Sequence, residues 1–253
     1  MKAIYTVVLL AALLINPIRA ELPSLTLLTE QYQPFNFIDP ADKTNRVQGI
    51  AVDLMNEMLV MAGSDQTWQD IYLQPWTRGY ITVQNDKNTV LFSTARTHER
   101  EDLFKWACPI AELKTELIAL KSSRMKIASL SDLIKYQIGS IKHDVGEQLI
   151  HTAGVPSSST QRTSTQESNI KKLQAGRIDL YVGSMASVAS MCKSIGCDAD
   201  LFQPVYTLDV SQLCFAFNKD TDDSIITQLQ SALDELIAMG LLEELHMKYE
   251  KWK

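Results

Sequence analysis

The chain has 253 residues, 45% of them apolar and 21% charged, with only 10 glycines and 8 prolines, which is typical of a globular protein and excludes a disordered or fibrous one. Its formal net charge of −6 leaves no general surface for phosphate groups, so we expect no nucleic acid partner. The length exceeds that of one average domain and predicts roughly two structural units.

Residues 1–20 have the layout of a secretory signal peptide. Lys2 precedes an apolar run at residues 7–15, and Ala20 offers a small residue at the expected cleavage position. The run is short for a membrane span, and we find no other stretch apolar enough to be one. A buried N-terminal helix is the alternative, but Pro17 disfavours it. We therefore predict cleavage after Ala20 and a soluble protein in the periplasm.

From residue 25 onward, short strand patterns alternate with helical patterns. Strands are predicted at residues 25–29, 68–73 and 90–93. An amphipathic helix begins near Ile50 and ends near Gly63, which can cap it. This alternation predicts a mainly parallel sheet with helices on both faces.

The same alternation begins again after Pro109. Further strands are predicted at residues 116–120, 137–140, 178–182 and 213–217, with an edge strand possible within the polar residues 157–165. Helices are predicted at residues 144–152, 168–175 and 223–249, with a short one that begins at Ser129 and a break at Gly240. Two similar α/β units followed by a returning strand predict two lobes with a cleft between them.

The four cysteines form two pairs with different expectations. Cys192 and Cys197 enclose a short turn-forming segment, and an exported protein usually oxidises such a pair, so we predict a disulfide. A zinc site would need two more ligands, which no second paired motif supplies. Cys108 and Cys214 each lie in an apolar strand, where buried free thiols are expected unless the two strands are neighbours.

The candidate site lies where the chain leaves the strands of the first unit, because ligands of open α/β sheets bind beyond the carboxyl ends of strands. Tyr32 follows the first strand and Trp76 the second, and each ring can form a wall for a ligand. Arg96 and Arg100 follow the third strand and can hold a carboxylate. The alternative is a solvated charge cluster in which Glu99, Arg100, Glu101 and Asp102 neutralise one another.

Five segments, in the same order along the chain, resemble those of the bacterial extracellular solute-binding proteins of family 3. They are residues 30–35 (EQYQPF), 49–54 (GIAVDL), 92–100 (FSTARTHER), 104–110 (FKWACPI) and 173–179 (LQAGRID). The resemblance covers essentially the whole chain after the signal peptide. It implies an α/β protein with the two-lobed, type II periplasmic-binding-protein fold. This fold has two mainly parallel sheets flanked by helices, a ligand cleft and two hinge crossings. Lobe 1 would comprise residues 21–111 and 212–253, and lobe 2 residues 112–211.

The resemblance also implies roles for individual residues. The family's ligand aromatics fall on Tyr32 and Trp76, and its carboxylate-binding arginine falls on Arg100. Ser93 and Ala95 occupy positions that offer backbone groups to the ligand. In the second lobe, residues 142–144 match a loop that contributes amides at a helix N-terminus. The predicted ligand-binding residues are Glu30, Tyr32, Trp76, Arg78, Ser93, Ala95, Arg96, Arg100, Lys142, Asp144 and Ser184.

The sequence departs from the family pattern after the predicted strand at residues 178–182. Amino acid binders place an acidic residue there for the ligand's ammonium group, whereas this chain has Gly183 and Ser184. Glu30 or Asp144 could supply that charge from elsewhere. The arginines and this departure predict a small carboxylate-bearing ligand, with organic acids and modified amino acids ranked above standard amino acids.

The function implied is capture of this ligand by hinge closure and delivery to an ABC importer, by a monomer that contacts a membrane permease transiently. No nucleophile elbow, metalloprotease helix, phosphate loop or dinucleotide motif is present, so we predict no catalytic residue, no metal and no cofactor. One alternative is a dehydratase-like enzyme of the same fold, with Glu30 or Asp144 as general acid. Another is a sensor that presents its solute to a membrane receptor.

Overall fold

The computed structural model describes residues 22–250. The predicted signal peptide, with its cleavage position at Ala20, lies outside these described residues.

Residues 22–250 contain ten strands and seven α-helices. The strands are β1 (Thr26–Thr29), β2 (Phe37–Ile38), β3 (Val47–Gln48), β4 (Ile71–Leu73), β5 (Thr89–Arg96), β6 (Phe104–Leu120), β7 (Ile138–Ile141), β8 (Thr160–Thr163), β9 (Leu180–Gly183) and β10 (Phe202–Asn218). The helices are α1 (Ile50–Met61), α2 (Trp76–Asn85), α3 (Val145–Thr152), α4 (Gln166–Gln174), α5 (Met185–Ile195), α6 (Asp223–Ala238) and α7 (Leu241–Lys248).

Eight strands form one connected sheet in the order β4-β1-β5-β10-β6-β9-β7-β8. The strands β4, β1 and β5 pair in parallel at one end, and β9, β7 and β8 pair in parallel at the other. Between them, the 17-residue strands β6 and β10 run antiparallel to each other. The predicted α/β fold class is confirmed. The two expected sheets are joined into one because β6 and β10 belong to both.

The buried apolar residues separate into two groups along the chain. Two clusters draw their buried members from residues 22–113 and 213–249, with Val145 as the one addition. Two other clusters draw theirs from residues 117–202. We call residues 22–113 and 213–250 the first half, and residues 114–212 the second half.

Helices α2 and α5 are the main elements that the sequence analysis did not locate. Helix α2 contains Gly79 and the β-branched Ile81, Thr82 and Val83, all of which have low helix propensity. Helix α5 buries Ser187 and other small residues instead of a regular apolar stripe. The returning strand, expected at residues 213–217, is the end of the longer β10.

Both cysteine pairs are bonded in the structure. The disulfide Cys192–Cys197, which joins the end of α5 to the next loop, is present as predicted. The sequence left the state of Cys108 and Cys214 open, with free thiols expected only if their strands are not neighbours. Because β6 and β10 are neighbours and bring the two Cα atoms to 4.7 Å, this pair is bonded as well.

No single helix in residues 22–250 is long and apolar enough to cross a membrane, and α6 and α7 meet those criteria only when taken together across a 73° bend.

Candidate functional site

A cavity of about 410 Å³ lies between the two halves, beyond the carboxyl ends of β1, β4, β7 and β9. This is the position that the strand-exit rule predicts. Seven of the eleven predicted site residues line it, namely Glu30, Tyr32, Trp76, Ser93, Ala95, Asp144 and Ser184. Their binding roles stay predictions, although the seven residues do lie around one cavity.

Three aromatic side chains form the walls of the cavity. Trp76 begins α2 and is 3% exposed, and its indole Nε1 has no hydrogen-bond partner. The Tyr32 hydroxyl is hydrogen-bonded to the side chain of Ser187, across the gap between the halves. Tyr181, on β9, completes the wall on the second half. Burial raises the pKa of both tyrosine hydroxyls, so both rings are neutral at physiological pH.

Besides Glu167, which pairs with Lys171, two carboxyl groups line the cavity, one from each half. Glu30 follows β1, and Asp144 is the N-cap of α3, where one of its oxygens accepts a 2.7 Å hydrogen bond from the Val145 amide. Burial raises the pKa of Glu30 well above its usual range, and the negative charge of Asp144 raises it further. Burial also raises the pKa of Asp144, although the positive charge of Arg100 opposes the shift.

The backbone around Ser93 is bent toward the cavity. The register between β5 and β10 shifts at this point, and Ser93 has a φ of 52°, in the left-handed region. An extra residue in one strand of a pair redirects side chains in this way. Asn36, which the sequence analysis missed, fixes the arrangement. Its side chain accepts a hydrogen bond from Ser93 Oγ and donates one of 2.8 Å to the backbone carbonyl of Glu30.

Arg100 lies behind the aromatic wall and outside the cavity lining. Its fully buried guanidinium donates to Gln148 Oε1 at 2.8 Å, to the His143 carbonyl at 3.2 Å and to the Ala95 carbonyl at 3.3 Å. Its Cζ atom lies 5.6 Å from the ring centroid of Trp76. Gln148 and His143 belong to the second half, so Arg100 connects the two halves.

The other three predicted cationic residues also lie outside the lining. Arg78 and Lys142 are exposed, although the Lys142 carbonyl accepts a 3.1 Å hydrogen bond from Thr77 Oγ1 across the gap. Arg96 pairs with Glu101 at the surface, whereas the alternative of a solvated charge cluster around Arg100 is not what the structure shows, because Arg100 is buried. The described lining therefore contains acidic side chains but no arginine, lysine or histidine.

Several lining residues were not found from the sequence. Tyr181 lies inside a predicted strand, only two residues before the strand exit at Gly183, so the strand-exit rule extended by two residues would have found it. Thr115 lies in the middle of β6, and its buried hydroxyl has no hydrogen-bond partner. Other members are Gln74, Gln166, Glu167, Ser187 and Met191. Among residues 22–250, no group of three or more His, Cys, Asp or Glu side chains could hold a metal ion.

Residues 25–251 match the model of the bacterial extracellular solute-binding proteins, family 3. The probable amino-acid-binding protein YxeM of Bacillus subtilis (strain 168) is 26% identical over 223 residues, which cover 87% of this chain and 81% of that protein.

The fold is similar to those of two solved structures. One is ArtJ, an arginine-, lysine-, histidine-binding protein from Geobacillus stearothermophilus, with a TM-score of 0.73 and 18% identity, covering 89% of this chain and 95% of that one. The other is a histidine kinase sensor domain with similarity to periplasmic binding proteins, with a TM-score of 0.74 and 18% identity, covering 88% and 95%.

Proposed function

The chain belongs to family 3 of the bacterial extracellular solute-binding proteins, and from this premise we propose that it is a periplasmic protein that closes on a small solute and delivers it to an ABC importer. The solute we propose is amino-acid-like, meaning that it has the size of an amino acid and at least one ionised group. A volume of about 410 Å³ falls within the range of small-molecule sites and supports this size.

The observation that carries this proposal is the set of contacts across the cavity. Arg100 in the first half donates to Gln148 and to the His143 carbonyl in the second. Ser190 Oγ in the second half donates to Gln33 Oε1 in the first at 3.1 Å. Such contacts exist only when the halves are close together. They therefore support a closed state that exchanges with an open state.

We infer that the two halves are the two lobes predicted from the sequence, and that β6 and β10 provide the two hinge crossings. The separation of the buried clusters supports this division. Because a ligand held between the halves contacts both of them only after closure, its binding favours the closed state.

A binding role fits the cavity better than a catalytic one. Its described lining lacks histidine, lysine and cysteine, and Asp144 Oδ1 is engaged as a helix cap. The expected result is that a ligand recovered from the protein after incubation is chemically unchanged by mass spectrometry. Recovery of a converted product would favour the dehydratase-like alternative.

The proposed function is tested by small-angle X-ray scattering of the mature protein, with and without a compound that raises its melting temperature. We expect the radius of gyration to decrease on binding. An unchanged radius with a saturating ligand would contradict closure. If no amino acid, amine or organic acid of this size raises the melting temperature, the proposed solute is wrong.

A further inference from the structure

We propose that the cavity binds an organic cation, with its charged nitrogen between Glu30 and Asp144, and that binding does not require a carboxylate on the ligand. This inference rests on the proposed function, because it assigns the chemical class of the solute in the same cavity. It replaces the carboxylate class that the arginines predicted from the sequence.

The charged residues of the cavity lining are acidic, and this is the first observation that favours a cation. Glu30 and Asp144 supply negative charge from the two halves, and no described lining residue supplies positive charge. Two like charges in one cavity repel each other, and after burial, which is the main cause, the charge of Asp144 contributes to the raised pKa of Glu30. A cation placed between them would remove this repulsion and attract both halves. Binding and closure would then depend on the same interaction.

Arg100 lies outside the cavity lining in this closed arrangement, which disfavours the expected carboxylate contact. Its three nitrogens already donate to Gln148, to His143 and to Ala95. The ring centroid of Trp76 lies 5.6 Å from the Cζ atom of Arg100. Trp76 lines the cavity, whereas Arg100 does not. A ligand carboxylate would therefore meet Asp144 and Glu30 without a compensating cation.

Aromatic faces and unpartnered polar atoms support an organic cation. Tyr32, Trp76 and Tyr181 line the cavity, and ring faces attract cations, especially organic ammonium groups. Thr115 is 2% exposed and its hydroxyl has no hydrogen-bond partner, so this hydroxyl can accept a hydrogen bond from an N–H group of the ligand. The Trp76 Nε1–H is equally unpartnered and can donate to a further polar atom of the ligand or to a water molecule.

A metal ion fits the same site less well. Hard cations take six or more oxygen ligands, whereas the described lining offers three carboxyl groups, those of Glu30, Asp144 and Glu167. In the described part of the chain, no group of three or more His, Cys, Asp or Glu side chains is placed to hold a metal ion. The aromatic walls would add no ligand for a metal ion, but they add contact area for an organic one.

The test is a thermal-shift and calorimetric comparison of compounds of matched length with the mature protein. Cadaverine carries two amines, L-lysine an amine and the amino acid group, and glutarate two carboxylates. Agmatine and L-arginine form a second matched pair, and choline tests a quaternary ammonium group. We expect at least one of cadaverine, agmatine and choline to raise the melting temperature, and glutarate to have no effect.

The variants Glu30→Gln and Asp144→Asn should each weaken binding of the stabilising cation by at least about tenfold, since each removes a charge-assisted contact. Glu235→Gln is the matched control, because it removes one negative charge from the exposed face of α6. It should leave the affinity unchanged.

Outcomes that contradict the inference differ from those that contradict the proposed function. Stabilisation by glutarate, or by the amino acids without the matching amines, would overturn the cation class and leave solute binding intact. Equal affinity of wild type and both cavity variants for a cation would overturn the assigned position. Failure of every compound would contradict the proposed amino-acid-like solute itself.

Discussion

Glu30 and Asp144 face one cavity from opposite halves of the molecule, and burial raises the pKa of both carboxyl groups. The closed state therefore brings together two groups that resist being charged at the same time. A protein can retain such an arrangement when a ligand that it needs to bind compensates for it, because optimal stability and optimal binding often conflict at a site. The free energy of unfolding of the unliganded protein should therefore depend on the ionisation of these two groups.

The first prediction concerns pH and the unliganded protein. A carboxyl group whose pKa is raised by folding binds more protons in the folded than in the unfolded state. Stability is therefore lost as pH rises from the unfolded pKa through the folded one. For Glu30 that interval begins near 4.5. Urea unfolding above pH 4.5 should show this loss in the wild type and a smaller loss in Glu30→Gln.

Asp144, whose pKa burial also raises, loses stability over an overlapping interval in both proteins, and other groups near the site act in different intervals. Arg162 lowers the pKa of Glu147, whose contribution to stability is lost only as pH falls below the usual carboxyl range. Burial lowers the pKa of His143, and burial raises that of Tyr32 and of Tyr181, so the tyrosines do not titrate near neutral pH. The difference between wild type and Glu30→Gln isolates the carboxyl group. Parallel stability curves would contradict the prediction.

The second prediction separates two roles for Arg100. If Arg100 holds the halves together, Arg100→Gln should lower the affinity for every ligand by a similar factor of at least about ten. The reason is that two of the three acceptors of the Arg100 side chain lie in the second half. If it binds a ligand carboxylate, only carboxylate-bearing compounds should lose affinity. Calorimetry with a matched amine and amino acid distinguishes the two cases.

The control for Arg100 is Arg96→Gln. Arg96 pairs with Glu101 at the surface, and exposed ion pairs typically contribute less than about 1 kcal/mol. Arg96→Gln should change neither the affinity nor the compaction seen by scattering. A loss equal to that of Arg100→Gln would show that general charge, and not the bridge between the halves, is responsible.

The third prediction compares the two disulfides. Cys108 and Cys214 are 106 residues apart, whereas Cys192 and Cys197 are five apart. In the chain-entropy model a bond that closes the longer loop contributes about 4.7 kcal/mol, and the short one roughly 2 kcal/mol. The double variant Cys108→Ser with Cys214→Ser should therefore lower the free energy of unfolding more than the corresponding variant of the other pair. Urea unfolding of both variants tests this order, which equal losses would contradict.

The sequence located residues of the cavity because strand exits are visible in the pattern of apolar residues. Tyr32 and Trp76 follow directly after apolar runs, and both line the cavity. Ser93 was placed correctly as well, but the bulge that turns it toward the cavity depends on its pairing partner β10, more than 100 residues away. Local patterns therefore predict which segments reach the site, and long-range pairing decides how each side chain points.

The features that the sequence did not specify depend on such long-range contacts. Arg100 lies on a 3-10 helix, His98–Leu103, that turns its side chain behind Trp76 and toward the second half. The bond between Cys108 and Cys214 depends on the antiparallel pairing of β6 with β10, which no local pattern specifies.

The last prediction concerns Gly183, at the position where the family resemblance implies an acidic residue. A Cβ atom built on Gly183 would lie 2.6 Å from Cε1 and 2.7 Å from the hydroxyl oxygen of Tyr181, too close for either to remain in place. Tyr181 is 2% exposed and belongs to the same buried cluster as Val188, so its ring has little room to move. Gly183→Ala should therefore displace the ring from the cavity wall and weaken binding of the stabilising cation by about tenfold or more, the scale of a buried aromatic contact with a cation. Ser194→Ala is the control, because it alters an exposed residue of α5 outside the cavity lining, and it should leave the affinity within about twofold. Calorimetric titration of the two variants measures both effects, and unchanged affinity in Gly183→Ala would show that the Tyr181 ring is not part of the binding surface.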